Sequence, residues 1–186
     1  MSIQFLTGRD TILRPLERQE YCAAMMEWVN DNLATQFMAT GTLPATLEAI
    51  ENSYNAILAA SHEVVLAVIA KKEGLYIGNV GLYQINWITR SAEYRIFLGH
   101  NSFRGRGIGT EAAKLITDYA FDRLNLNKVW LGVNESNSAA VKSYEKAGFI
   151  REGVLRQEIY RNGRYYNAIR MSILREEYNA SQTQTL

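Results

Sequence analysis

Apolar and polar positions recur along this chain with two periods, and the changes between them mark out its elements. Val64 to Ala70 is apolar and β-branched, the signature of a strand buried on both faces. Lys71-Lys72-Glu73-Gly74 turns the chain into a second strand, Leu75 to Gln84, and Arg90 to Leu98 follows as a third. These three read as an antiparallel meander. Elsewhere the period lengthens. Ala49, Ile50, Ser53 and Ile57 share one side of a helix that Thr46 is placed to cap and that runs to about Ala60. Before it come a short strand, Thr11 to Arg14, stopped by Pro15, a helix from Leu16 to Val29, and a loop from Asn30 to Thr42. Downstream, Ala112, Leu115, Ile116, Tyr119 and Ala120 form the buried face of a helix ending near Leu124. Lys128 to Val133 is a strand, and Ser138 to Ala147 is a short helix ended by Gly148. Phe149 to Tyr160 and Arg164 to Leu174 make a hairpin around Asn162-Gly163, a type I′ turn pair. A meander followed by a crossover helix and another strand implies a mixed sheet with helices on both faces.

Composition narrows the class. The 186 residues allow one domain with a full core, here placed at residues 1–178, and Asn179 to Leu186 is a polar tail expected to fray. A net charge of +1 supplies no field for nucleic acid or an anionic membrane. No run reaches the ~18 apolar residues of a membrane span. Arg9, Asp10 and Arg14 interrupt any signal-peptide core, so a cytoplasmic location is expected. The single Cys22 excludes an internal disulfide and fits a reducing compartment. No spacing of His, Cys and carboxylates suggests a metal site.

The candidate chemistry begins at Phe103-Arg104-Gly105-Arg106-Gly107-Ile108-Gly109-Thr110, between the third meander strand and the long helix. Glycines there let backbone N–H groups turn toward a ligand, and the helix N-terminus adds unpaired donors and about half a positive charge. The segment is built for phosphate. A P-loop would need a lysine after the glycines, and a dinucleotide fingerprint would need its third glycine one residue later. What it does match, through Arg104, Gly107 and Gly109, is R-x-x-G-x-G. A second motif lies in Asn137-Ser138-Ala139-Ala140-Val141-Lys142-Ser143-Tyr144-Glu145-Lys146-Ala147-Gly148-Phe149. Asn137 is placed to cap this helix, and Tyr144 falls about two turns later on the same face.

Together the two motifs resemble those of the GNAT superfamily of N-acetyltransferases, on the branch of the RimJ/RimL and spermidine enzymes. The resemblance runs from Leu13-Arg14-Pro15-Leu16 to Tyr178. It implies a single-domain α/β (α+β) GNAT fold with about seven strands, and acetyl-CoA as the acyl donor. It assigns the backbone of Ile96, Phe97 and Leu98 to pantetheine, with the Phe97 N–H as oxyanion donor. Arg104, Gly105, Arg106, Gly107, Ile108, Gly109 and Thr110 would take the pyrophosphate, and Asn137 the CoA chain. Tyr144 would be the general acid that protonates the sulfur, since a phenol with a pKa near 10 holds its proton at neutral pH. Glu93 is the candidate base, with an ion pair to Arg95 on the same strand face as the competing reading. His100 precedes the glycine loop as a turn residue, and His62 has no visible partner.

The acceptor divides the readings. A primary amine of a small molecule, either a polyamine or an amino sugar nucleotide, is the first. Polyamine relatives carry an acidic loop between the two N-terminal helices, whereas Thr35-Gln36-Phe37-Met38-Ala39-Thr40-Gly41-Thr42-Leu43-Pro44 has no carboxylate. Trp28-Val29-Asn30-Asp31, Gln36-Phe37-Met38 and Ile85-Asn86-Trp87 look more like relatives acting on nucleotide-linked amino sugars. Phe37 and Trp87 either stack on such a ligand or simply pack. A ribosomal-type protein N-terminal acetyltransferase and a non-catalytic acyl-CoA-binding module are the alternatives. Oligomeric state stays open, with the last hairpin strand a frequent dimer edge in this family.

Overall fold

The β-branched and alternating runs assemble into one sheet of eight strands in the computed structural model, which describes residues 3–183. In chain order the elements are β1 (Leu6–Thr7), β2 (Thr11–Pro15), α1 (Arg18–Trp28), α2 (Asn32–Thr35) and α3 (Leu47–Ala59). Then come β3 (Val64–Ala70), β4 (Leu75–Asn86), β5 (Ser91–Leu98), a 3-10 turn (Asn101–Phe103) and α4 (Ile108–Asp122). The last are β6 (Lys128–Asn134), α5 (Ser138–Lys146), β7 (Ile150–Arg161), β8 (Arg164–Leu174) and α6 (Arg175–Thr183). Strand order is β1-β2-β3-β4-β5-β6-β8-β7. Every pair is antiparallel except β5 with β6, which α4 joins as a crossover.

Strand alternation supplies two cores. Leu66, Val68 and Ala70 face the side covered by α4 and α5, with Ile116, Phe121, Leu131 and Met171. Ala67 and Ile69 face the side covered by α1 and α3, with Trp28, Tyr54 and Tyr76. Helices therefore cover both faces, and the strand beyond the expected seven is the two-residue β1.

Other differences are local. Pro15 belongs to β2, and α1 starts at Arg18 because Glu17 takes the extended conformation of a cap. Within the expected loop, Asp31 accepts from the Leu33 N–H and starts the short α2. The tail is helical through Thr183: the Glu177 carboxylate accepts from the Leu174 N–H, and Tyr178 stacks on Phe121 at 4.8 Å. The end of the expected frayed tail, 184–186, lies outside the described residues. At the hairpin, Asn162 and Gly163 both have positive φ, 50° and 77°, as a type I′ turn demands.

Candidate active site

The site starts where two strands part. β5 and β6 pair only at Ser91↔Lys128, Ala92↔Val129 and Glu93↔Trp130. Beyond that rung β5 stays with β4 as far as Leu98, while β6 follows β8 to Asn134. The edge of β5 from Tyr94 to Leu98 therefore faces a gap without a ladder partner. Alternation decides which amides face it. Gly99 donates to the Ile77 carbonyl on the β4 side, whereas the Arg90 carbonyl accepts from Lys128 on the β6 side and that of Leu98 accepts from Arg104. Residues of even number thus turn their peptide groups into the gap, and the Phe97 N–H points to β4. This corrects the expected oxyanion donor: the amides of Ile96 and Leu98 are the ones presented. All three residues still line the cleft that opens here, a cavity of about 550 Å³.

The glycine loop forms one end of that cleft. Gly105 and Gly107 sit at φ of 76° and 84°, and Gly107 caps α4 with no side chain to satisfy the first amides. Among the described residues, the N–H groups from Gly105 to Thr110 donate to no protein acceptor. They form a concentrated set of free donors at the positive end of a helix.

The two arginines behave differently from the expectation. The Arg104 guanidinium donates to the carbonyls of Leu33, Ala34 and Leu98 at 3.3, 2.9 and 3.2 Å, tying α2 to the end of β5. Burial lowers its pKa. Arg106 lies 3.6 Å from Glu73 and 4.6 Å from the Phe103 ring centroid. Arg104, Gly105, Gly107, Gly109 and Thr110 line the cleft, while Arg106 does not and Ile108 is a core residue.

The opposite wall is α5. Asn137 caps it by accepting from the Ala140 N–H at 3.1 Å, and both residues line the cleft with Tyr144. Thr110 and Ser143 share a hydroxyl hydrogen bond of 2.7 Å that joins α4 to α5. The Tyr144 ring meets Tyr94 and Phe149 edge-on at 5.7 and 5.9 Å, and burial pushes its phenol up to about 12. It keeps its proton at any physiological pH. Sequence reasoning missed Lys142, Ser143 and Lys146 of this wall, although their spacing around Tyr144 on one helix carried the signal.

Glu93 sits on the other face of β5, on the last rung before the gap, paired with Arg95 at 2.6 Å. Arg95 in turn lies 4.8 Å over the Tyr83 ring. The ion pair is present, and Glu93 does not line the cleft. Gln36, Phe37 and Met38 do, whereas Trp87 is exposed. His100 contacts Ser102 and Phe103, and His62 contacts Ser61, and neither histidine lines the cleft. Among the described residues no group of His, Cys, Asp and Glu could hold a metal, and no helix is long and apolar enough to cross a membrane. The charged residues lining the cleft are Arg104, Lys142 and Lys146, and no carboxylate is among the lining residues. Such a lining suits an extended polyanion that also carries a group needing a proton.

Comparison with known proteins agrees with that chemistry. The model of a family described as the acetyltransferase (GNAT) domain matches residues 10–150. The spermidine N(1)-acetyltransferase of Escherichia coli (strain K12) is 42% identical over 112 residues, covering 60% of this chain and 60% of that enzyme. The enzyme of the same description from Vibrio cholerae serotype O1 is 42% identical over 102 residues, covering 55% and 58%. The aligned stretch thus spans under two thirds of either enzyme. The crystal structure of spermidine N-acetyltransferase from Vibrio cholerae in complex with CoA and spermine superposes with a TM-score of 0.83. It is 31% identical, with 92% of this chain and 99% of that one covered.

Proposed function

The chain belongs to the GNAT acetyltransferase family, and on that premise we propose that it transfers an acetyl group from acetyl-CoA to a primary amine of a small molecule. The observation that carries this reading is the gap after Glu93↔Trp130, with free α4 amides at one end and Tyr144 on its wall. The residues fit the donor: the N–H groups from Gly105 to Thr110 hold its pyrophosphate, and Lys142 and Lys146 answer its remaining charge. The open edge of β5 pairs with pantetheine through Ile96 and Leu98. Acetyl-CoA supplies an activated acyl group as a thioester.

The protein's own part is positioning and proton management. The Ile96 and Leu98 amides are the donors available to a developing oxyanion. Tyr144 gives its proton to the departing sulfur. Glu93, at the apex of the gap, takes the amine's proton through water. Its pairing with Arg95 holds the carboxylate in place.

For the acceptor, two small amines fit this reading: a polyamine, the substrate in the names of the spermidine relatives, and a nucleotide-linked amino sugar, the class to which the carboxylate-free segment 35–44 points. The lone, buried Cys22 supports a reducing, cytoplasmic setting. The last hairpin strand, β8, is not the expected edge, because it lies between β6 and β7; the outer strand is β7, with Ile150, Val154 and Tyr160 exposed, and a second copy would pair there.

Thiol release from acetyl-CoA, assayed with amino-sugar nucleotides, polyamines and peptides, tests the reading. Turnover with a small amine, and a Tyr144→Phe variant whose kcat falls on the order of a hundredfold at unchanged acetyl-CoA KM, is expected. Tight acetyl-CoA binding without turnover of any amine would leave a binding module instead.

A further inference from the structure

The face of the sheet turned away from Tyr144 holds an arginine whose donors are unused. No residue of β6, β7 or β8 belongs to the core under α1 and α3, so those helices stop short of this half of the face. The rungs Tyr83↔Glu93, Glu93↔Trp130 and Trp130↔Ser172 set these four residues in one row on it. One step further toward the open end of the gap, Arg170 stands opposite Gly132. Its guanidinium leans back onto the Trp130 ring, 4.0 Å from the centroid. Gly132 is exposed, and a Cβ built on it would meet nothing within 4 Å. The far mouth of the gap is thus an open place floored by backbone, bounded by Glu93 and Arg95 on one side and by Trp130 and Arg170 on the other. A glycine inside a strand lets a ligand approach closely.

Charge at this place does not balance. Glu93 is answered by Arg95 at 2.6 Å. Glu152 feels the charge of Arg170, but its carboxylate is taken by Lys128 and, at 2.9 Å, by the Ser172 hydroxyl. Among the described residues Arg170 makes no hydrogen bond and no ion pair. The stack on Trp130 fixes the plane of its guanidinium and leaves the N–H donors at the rim of that plane free. Half-buried and held in one orientation, this fork matches an oxyanion.

We propose that Arg170 is a specificity-determining residue for the acceptor: it binds an acidic group, a phosphate or a carboxylate, of the molecule whose amine is acetylated. Anchored there, the acceptor lies over Gly132 with its amine toward Glu93. It enters the gap from the face opposite Tyr144, so the amine's base and the sulfur's acid stand on either side of the thioester. The anchoring adds no chemical step, and the amine's proton still leaves by way of Glu93. A polycation would meet an unanswered positive charge at the same place. Arg104 and Arg161 do not share this role, because their guanidinium groups donate to carbonyls and hydroxyls of the protein itself.

This inference rests on acetyl transfer with Glu93 as the base, and the test separates the two. Thiol release at saturating acetyl-CoA would be measured with glucosamine, muramic acid and UDP-glucosamine, and with spermidine. The first three offer the same amine beside no acid, a carboxylate or a diphosphate. At least one acidic amine should exceed glucosamine in kcat/KM on the order of tenfold. Arg170→Gln should remove most of that preference through acceptor KM, with kcat and acetyl-CoA KM unchanged. Arg170→Lys should keep only part of it, because an ammonium group offers no planar fork. Gly132→Val, which fills the open place, should raise the KM of every acceptor several-fold without lowering the melting temperature. A preference that survives Arg170→Gln overturns the proposal, as does equal kcat/KM for glucosamine and both acidic amines. So does a kcat/KM for spermidine above all three, or a loss in Arg170→Gln that comes with a raised acetyl-CoA KM and a lower melting temperature. No turnover of any amine, or wild-type kcat in Glu93→Gln, overturns instead the reading on which it rests.

Discussion

Gly107 and Gly109 belong to one motif but do different jobs. Gly107 has a φ of +84°, and a Cβ built on it would meet nothing within 4 Å. The cost of Gly107→Ala is therefore dihedral, about 1–2 kcal/mol for a left-handed position, and it should appear as a lower melting temperature. Gly109 has no such angle, and its Cβ would stand at ordinary contact, 3.7 Å from Leu98 Cδ1 and 3.9 Å from Ser143 Oγ. The fold tolerates Gly109→Ala, but the methyl group would cover the free amides that face the cleft. Its melting temperature should hold while its acetyl-CoA KM rises several-fold. Measured together, the pair distinguishes a glycine that shapes the loop from one that clears space for the ligand. The same scale shows what residue type alone does not say of Arg104. Residue type announces a cation, but only distant carbonyls, at Leu33 and Ala34, reveal that Arg104 is a brace.

Elements with a repeating pattern were legible, and those without one were not. The three meander strands, α4 and the Asn162-Gly163 hairpin follow from period and turn chemistry. Four-residue α2 and two-residue β1 are too short to show a period, and polar α6 buries little beyond Tyr178. The motif residues Asn137 and Tyr144 could be placed because one short helix carries both, whereas the direction of the Phe97 amide depends on which neighbour β5 keeps. Long-range ties also hold the 35–42 loop beside the cleft. Arg161, 6% exposed at the end of β7, donates to Thr35 Oγ1, Thr40 O and Thr42 Oγ1 at 3.0, 3.2 and 3.2 Å, with no carboxylate partner. Its Nε is buried and unpaired. Replacing an uncompensated buried charge is close to neutral for global stability, because the lost hydrogen bonds are offset by the desolvation no longer incurred. Arg161→Met should therefore melt near the wild type. It should nevertheless free the 35–42 loop, seen as faster proteolysis there and a several-fold higher acceptor KM, with acetyl-CoA KM unchanged.

Over the whole molecule the charges nearly cancel, at +1, so any attraction for anions is local to the cleft. Lys142 and Lys146 on its α5 wall are exposed, which puts them within reach of screening by salt. At 0.15 M ionic strength the screening length is about 8 Å, comparable to the span of such a site. Acetyl-CoA KM should therefore rise with salt, and a Lys142→Gln, Lys146→Gln double variant should flatten that dependence while leaving kcat unchanged. In the complex that reacts, acetyl-CoA already fills this cleft, so its phosphates answer Arg104, Lys142 and Lys146 before the amine meets them. The double variant should therefore leave the acceptor KM unchanged, with spermidine or with UDP-glucosamine, while the acetyl-CoA KM rises. A shift in acceptor KM of the same size as the shift for acetyl-CoA would mean that the amine itself reaches these two lysines.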